Sequence, residues 1–166
     1  MKNFLIAVGL AALMASPALA ASNANFVGPR IEATAGVDDF HGNAQDRANI
    51  TYGARVGVDA PLGSDLTVGV EAGVDNVFGS TREIGVAARV GYAVTDHVLA
   101  FGTGGYANYR NIDFSNREAA LNGFRVGGGL QLALTSHIFT GVEYRYTGLD
   151  HGVKKNSVNA TLGIRL

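Results

Sequence analysis

The sequence predicts an all-β fold, an eight-stranded antiparallel up-and-down transmembrane β-barrel, on three observations. Eight segments alternate apolar and polar residues with period 2, and the connections between them alternate long and short without exception. In addition, 23 of the 166 residues are Gly, about twice the usual share, which weakens helices throughout.

The first segment, Phe26 to Val37, sets Arg30 and Glu32 on its polar face. The second, Asn49 to Ala60, is the clearest: Ile50, Tyr52, Ala54, Val56, Val58 and Ala60 alternate with Thr51, Gly53, Arg55, Gly57 and Asp59. In the third, Leu66 to Asp75, a Val-rich face alternates with Thr67, Gly69, Glu71, Gly73 and Asp75. The fourth, Glu83 to Ala93, carries Glu83 and Arg89. In the fifth, Val98 to Tyr109, the run Gly102-Thr103-Gly104-Gly105 blurs which parity faces out. The sixth, Gly123 to Leu134, contributes Arg125, and the seventh, Ile138 to Tyr146, contributes Glu143 and Arg145. The eighth, Asn156 to Leu166, alternates Val158, Ala160, Leu162, Ile164 and Leu166 with Asn159, Thr161, Gly163 and Arg165. Each segment has 9 to 12 residues, and a tilted strand needs roughly 9 to 11 to cross a bilayer.

Odd-numbered segments are followed by the long connections Asp38 to Ala48, Asn76 to Arg82, Arg110 to Asn122 and Thr147 to Lys155, of 11, 7, 13 and 9 residues. Even-numbered ones are followed by Pro61 to Asp65, Val94 to His97 and Thr135 to His137, of 5, 4 and 3 residues. Short turns at one end and long loops at the other are the layout of an outer-membrane barrel, with turns toward the periplasm and loops outside. Tyr92-Ala93-Val94-Thr95-Asp96-His97-Val98 resembles Leu132-Ala133-Leu134-Thr135-Ser136-His137-Ile138, two hairpin turns of one design.

Ahead of the strands, Met1 to Ala20 has one cation, Lys2, an apolar run from Phe4 to Met14, and Ala18-Leu19-Ala20. This three-part layout predicts a secretory signal peptide over residues 1–20 and a barrel domain over 21–166. Removal of Lys2 takes the formal net charge from −1 to −2, which excludes a strongly basic nucleic-acid binder. No later stretch approaches 18 apolar residues, so no helix crosses a membrane after export, and the protein is expected to be secreted, periplasmic or membrane-embedded by another route. The absence of Cys excludes disulfides, a thiolate nucleophile and a Cys-ligated zinc site.

Volume and charge decide which face points inward. An eight-stranded barrel is just wide enough inside for its own side chains, and the polar face interleaves Gly with long charged residues, as in Gly53-Ala54-Arg55-Val56-Gly57. Arg30, Arg55, Arg89, Arg125, Arg145 and Arg165 balance Glu32, Asp59, Glu71, Asp75, Glu83 and Glu143, which reads as a lumen charge network. Symmetric pairing about Gly63 would place Arg55 opposite Glu71. Tyr52, Phe78, Tyr92, Phe101, Tyr109, Phe124, Phe139, Tyr144 and Tyr146 would form a modest aromatic girdle.

With Gly91-Tyr92-Ala93, Gly104-Gly105-Tyr106-Ala107, Phe124-Arg125-Val126-Gly127-Gly128-Gly129-Leu130, Glu143-Tyr144-Arg145-Tyr146-Thr147 and Leu162-Gly163-Ile164-Arg165-Leu166 in this order, the chain resembles the small eight-stranded outer-membrane β-barrel family. That family takes in the opacity-protein-like and OmpA/OmpX-type barrels often labelled porin-family proteins. The resemblance implies residence in the outer membrane among lipid and lipopolysaccharide, and surface loops that serve adhesion, immune contact or envelope stability. It also implies that Val158, Ala160, Leu162, Ile164 and Leu166 form the signal read by the barrel-assembly machinery, although relatives normally end in Phe or Trp.

No catalytic, cofactor or metal site is expected. His41, His97, His137 and His151 lack metal-ligand spacing. Ser136 and His137 are adjacent on a tight turn, so their side chains point apart and make no nucleophile–base pair. The long loops mix Asp38, Asp39, Asp46, Asp113, Glu118 and Asp150 with Arg47, Arg110, Arg117, Lys154 and Lys155. There Ile112 and Phe114 are the candidate surface contact with an unknown ligand. The expected function is thus non-enzymatic, contributing to envelope structure and surface interaction. The alternatives are a narrow solute or ion channel, or a soluble periplasmic ligand-binding barrel with its faces inverted.

Overall fold

The computed structural model describes residues 24–41, 47–77, 81–111, 120–149 and 154–166. A 3₁₀ turn at Ala24–Phe26 leads into eight strands: β1 (Gly28–His41), β2 (Arg47–Pro61), β3 (Leu66–Val77), β4 (Thr81–Ala93), β5 (Val98–Asn111), β6 (Ala120–Ala133), β7 (Ile138–Leu149) and β8 (Lys154–Arg165). Every strand pairs antiparallel with its chain neighbours, and β8 closes on β1. The expected closed up-and-down barrel is the fold formed. Closure leaves no free sheet edge, so the strands satisfy one another's backbone groups all round the ring. The expected export segment, Met1 to Ala20, lies outside the described residues, as do Phe78, Ile112, Phe114 and His151.

At the loop end the strands run further than their apolar alternation suggests. β1 continues past Val37 to His41, β7 past Tyr146 to Leu149, and β8 begins at Lys154. The period-2 pattern does not stop at Val37 or Asn156; only the apolar side chains give way to polar ones, while pairing continues from Asp38↔Ser157 to His41↔Lys154. Phe26 differs in the opposite sense: it belongs to the 3₁₀ turn rather than to the first strand and folds into the barrel mouth, fully buried.

The two similar turns share one geometry. The Thr95 hydroxyl accepts the backbone N–H of His97 at 3.2 Å and of Val98 at 3.0 Å. Thr135 repeats this with His137 at 3.2 Å and Ile138 at 2.9 Å. A threonine oxygen that takes two N–H groups fixes a short hairpin without special backbone angles.

The turn between β2 and β3 differs. Leu62 N–H donates to the Leu66 carbonyl at 2.8 Å, and Gly63 adopts φ +92°, a conformation that favours glycine. Gly63 is therefore off-centre, and the ladder pairs Pro61 with Thr67, Gly57 with Glu71 and Arg55 with Gly73. The expected opposition of Arg55 and Glu71 is corrected by this two-residue slip. Because the slip is even, every side chain keeps its face.

Candidate functional site

The two faces of the sheet have opposite chemistry. Outward positions expose Ile50 62%, Val86 57%, Val142 55% and Leu162 59% of their surfaces, whereas the inward charges Arg30, Glu83, Glu143 and Arg145 are at most 2% exposed. Among the described residues the buried charges are seven cations, Arg30, Arg55, Arg89, Arg125, Arg145, Lys155 and Arg165, and seven anions, Glu32, Asp38, Asp59, Glu71, Asp75, Glu83 and Glu143. The interior is thus neutral. Sequence reading placed Asp38 and Lys155 in loops, yet each continues the inward parity of its strand.

Near the turn end, one oxygen of Asp59 collects three arginines: Arg30 at 3.0 Å, Arg89 at 3.2 Å and Arg165 at 3.2 Å. Arg30 also reaches Glu71 at 2.6 Å and Glu32 at 3.1 Å. Glu32 then meets Arg55 at 3.3 Å, and Arg55 meets Glu143 at 2.7 Å. Glu143 holds Arg145 at 2.6 Å, and Arg145 holds Asp75 at 3.2 Å. Toward the loop end, Arg125 lies 3.9 Å from Asp75 and 2.9 Å from Glu83, and Lys155 joins Glu83 at 2.7 Å to Asp38 at 2.9 Å. The Tyr109 hydroxyl also donates to Glu83. All twelve charges expected in the lumen fall into this chain of alternating sign, with Lys155 and Asp38 extending it.

Space for so many long side chains comes from glycine in the neighbouring strand. Arg30 and Glu71 both register with Gly57, Arg55 with Gly73, Asp75 with Gly53, Arg125 with Gly105, Arg145 with Gly127, and Glu143 with Gly129. At Gly57 an added Cβ would lie 2.9 Å from the Arg30 Nη2, 3.0 Å from its Cζ and 3.0 Å from the Val70 carbonyl oxygen. Gly57→Ala is expected to push Arg30 off Glu71 and lower stability by about 1–3 kcal/mol. Denaturant titration of the folded barrel measures it, and an unchanged midpoint would count against the tight lumen.

Apolar groups stop both ends of the ionic column. At the turn end Phe26, Ala93, Leu99 and Ala133 cluster with Phe101, whose ring lies 4.0 Å beneath the Arg89 guanidinium. At the loop end Ala107, Tyr109 and Leu149 cluster, with the Lys155 ammonium 5.0 Å from the Tyr109 ring. The expected girdle is corrected accordingly: Phe101, Tyr109 and Phe139 share the inward parity and fill the lumen. Tyr52, Tyr92, Phe124 and Tyr144 are exposed outside, joined by Tyr106. The network encloses a cavity of about 10 Å³ lined by Arg30, Glu32, Arg55, Glu71, Arg89 and Glu143 among others, at the lower limit for a single water.

The remaining candidates do not converge. His97, Ser136 and His137 are exposed on turns, and the side chain of His41 lies outside the described ones. Among the described residues no group of three or more His, Asp or Glu could hold a metal ion, and no helix is long and apolar enough to cross a membrane.

An apolar exterior around a closed ring of strands, with every buried charge in an ion pair, defines a transmembrane β-barrel. The chain belongs to the outer membrane protein beta-barrel domain family, whose model matches residues 8–165. No curated protein sequence matches it significantly. Among solved structures it is similar to Neisserial surface protein A, at 15% identity and TM-score 0.65, covering 84% of this chain and 97% of that one. It is also similar to Ail, the attachment invasion locus protein of Yersinia pestis, in complex with the heparin analogue sucrose octasulfate, at 14% identity and TM-score 0.63, covering 85% and 100%. A third is the outer membrane enzyme PagL, at 18% identity and TM-score 0.52, covering 82% and 99%. At such identities the likeness is one of fold, and that fold carries both enzymes and other surface proteins.

Proposed function

We propose that this chain is a non-enzymatic integral protein of the outer membrane, sealed to solutes, that contributes to envelope structure and presents four outer loops for surface interaction and adhesion. The observation that carries the reading is the filled lumen: seven charges of each sign in one continuous chain of ion pairs, with an apolar cluster at each end. A conducting pore needs a continuous wet path, whereas the described lumen is filled by paired side chains around a cavity of about 10 Å³. In this reading Met1 to Ala20 directs export, and Val158, Ala160, Leu162, Ile164 and Leu166 present the terminal strand to the barrel-assembly machinery. Ile112 and Phe114 offer the loop contact to a surface ligand, lipopolysaccharide surrounds the outer half, and nucleic acid plays no part.

The test has two readings on one preparation. The outer-membrane fraction should contain a species whose mobility on SDS gels shifts on boiling, as a detergent-resistant barrel does. The same folded protein should give no unitary conductance steps in a planar bilayer. A soluble, non-shifting protein would overturn membrane residence, and discrete steps from the shifting species would replace the sealed barrel with a channel.

A further inference from the structure

We infer that the segment 24–28 is a strap that latches the β1–β8 seam of the barrel by docking Phe26 on the opposite wall. β1 and β8 are the pair of neighbouring strands that no connection joins, so closing this seam costs the entropy of the whole chain between them. Its turn end is held by the Leu166 N–H, which donates to the Pro29 carbonyl at 2.9 Å, and by the Arg165 Nη1, which donates to the Gly28 carbonyl at 3.4 Å. At that point the chain leaves the wall. Gly28 takes φ +108°, and a Cβ added to it would lie 3.1 Å from the Leu166 carbonyl oxygen, so backbone conformation and space both call for glycine at this corner. The corner sends Ala24–Phe26 across the mouth.

Phe26 clusters there with Ala93 of β4, Leu99 and Phe101 of β5, and Ala133 of β6. β5 is four strands from β1 in either direction round the ring, so it stands directly across the lumen. Phe26 and Leu99 are both 0% exposed. A Cβ on Gly91 would come within 3.0 Å of the Leu99 Cδ2, so glycine in β4 gives this seat its room. The Asn25 Nδ2 donates to the Asp96 carbonyl at 2.9 Å, a second tie to the same wall, in the turn between β4 and β5. At the loop end, by contrast, Ala107, Tyr109 and Leu149 all come from strands. Only the turn-end cluster takes a residue from outside the sheet, and that residue lies two positions before β1. Docked, it fixes the first residues of β1 within reach of Leu166, so a seam that frays at this end has little freedom to gain and recloses.

The chain has no Cys, so introduced thiols report alone. Ala93→Cys puts a thiol in the seat of Phe26, and its alkylation by a maleimide is followed on the full chain folded in detergent micelles, with the unboiled gel mobility as the check of folding. Adding Phe26→Ala should speed alkylation roughly ten- to hundredfold, the burial of one large apolar side chain read as an opening equilibrium. The latch itself is read from the rate at which the folded band is lost in urea. Phe26→Ala should speed that loss, and Gly28→Ala, which keeps Phe26 but strains the corner, should speed it too. A disulfide made through Ala35→Cys and Ala160→Cys, register partners across the seam, should abolish the difference between Phe26 and its variant. Unchanged alkylation would overturn the seating of Phe26. A faster loss that survives the disulfide would make Phe26 a filler of the mouth and overturn the latch. If Phe26→Ala does not fold, Gly28→Ala carries both measurements, and unchanged rates in that variant overturn the proposal.

Discussion

Asp59→Ala is expected to lower the folding stability of the barrel by about 3–5 kcal/mol, the cost of leaving buried charges without a partner. One carboxylate oxygen of Asp59 serves Arg30, Arg89 and Arg165 together, and its side chain is 1% exposed. The three dependants differ in what remains to them. Arg30 keeps Glu71 and Glu32. Arg89 keeps the neutral Gln131 oxygen at 2.8 Å and the Phe101 ring. Arg165 keeps the Gly28 carbonyl at 3.4 Å and the Phe139 ring at 5.6 Å. Two guanidinium groups, those of Arg89 and Arg165, would thus stay buried without the carboxylate they pair with. Because Arg165 is on β8, Arg30 on β1, Asp59 on β2 and Arg89 on β4, the loss also falls on the seam that closes the ring. The measurement is urea unfolding of the folded barrel, followed by the unboiled gel shift. A midpoint within error of the parent would show that these charges are solvated after all. Arg55→Ala should cost less than Asp59→Ala, since it leaves Glu32 with Arg30 and Glu143 with Arg145.

That contrast shows how far the sequence carries. The alternation of Arg55 with Gly53 and Gly57 was enough to place a charge in a narrow lumen, because side-chain parity survives any even register error. It could not name the partner. Gly63 looks like the midpoint of its turn, whereas the turn runs from Leu62 to Leu66 with Gly63 as its second residue. The pairing of Arg55 with Glu143 spans 88 positions and follows from closure, which no local pattern encodes. Asp38 and Lys155 were legible in principle: each keeps the inward parity of its strand, but polar residues beyond the last apolar one read as loop. Phe101, Tyr109 and Phe139 were misplaced because aromatic residues near strand ends were assigned by position along the strand. Parity puts all three inside, where they close the column and stack on Arg89, Lys155 and Arg165.

The outward face makes the complementary prediction. Val86 sits near the middle of β4, is 57% exposed, and registers with Ala72 on β3 and Tyr106 on β5, so its side chain meets no buried group of the lumen. In a water-soluble barrel with this surface, Val86→Arg would change stability by no more than about 0.5 kcal/mol, as surface substitutions usually do. Facing hydrocarbon near the bilayer midplane, it should cost about 2–4 kcal/mol, and the same change nearer the strand ends, at Tyr92, should cost about 0–1 kcal/mol. Unfolding in phospholipid vesicles measures the difference between the two positions. Depth dependence is the property that separates lipid from water as the solvent of this face, because water has no depth. Equal effects at Val86 and Tyr92 would mean that the face is not in a membrane. A graded loss would also locate the apolar band along β4.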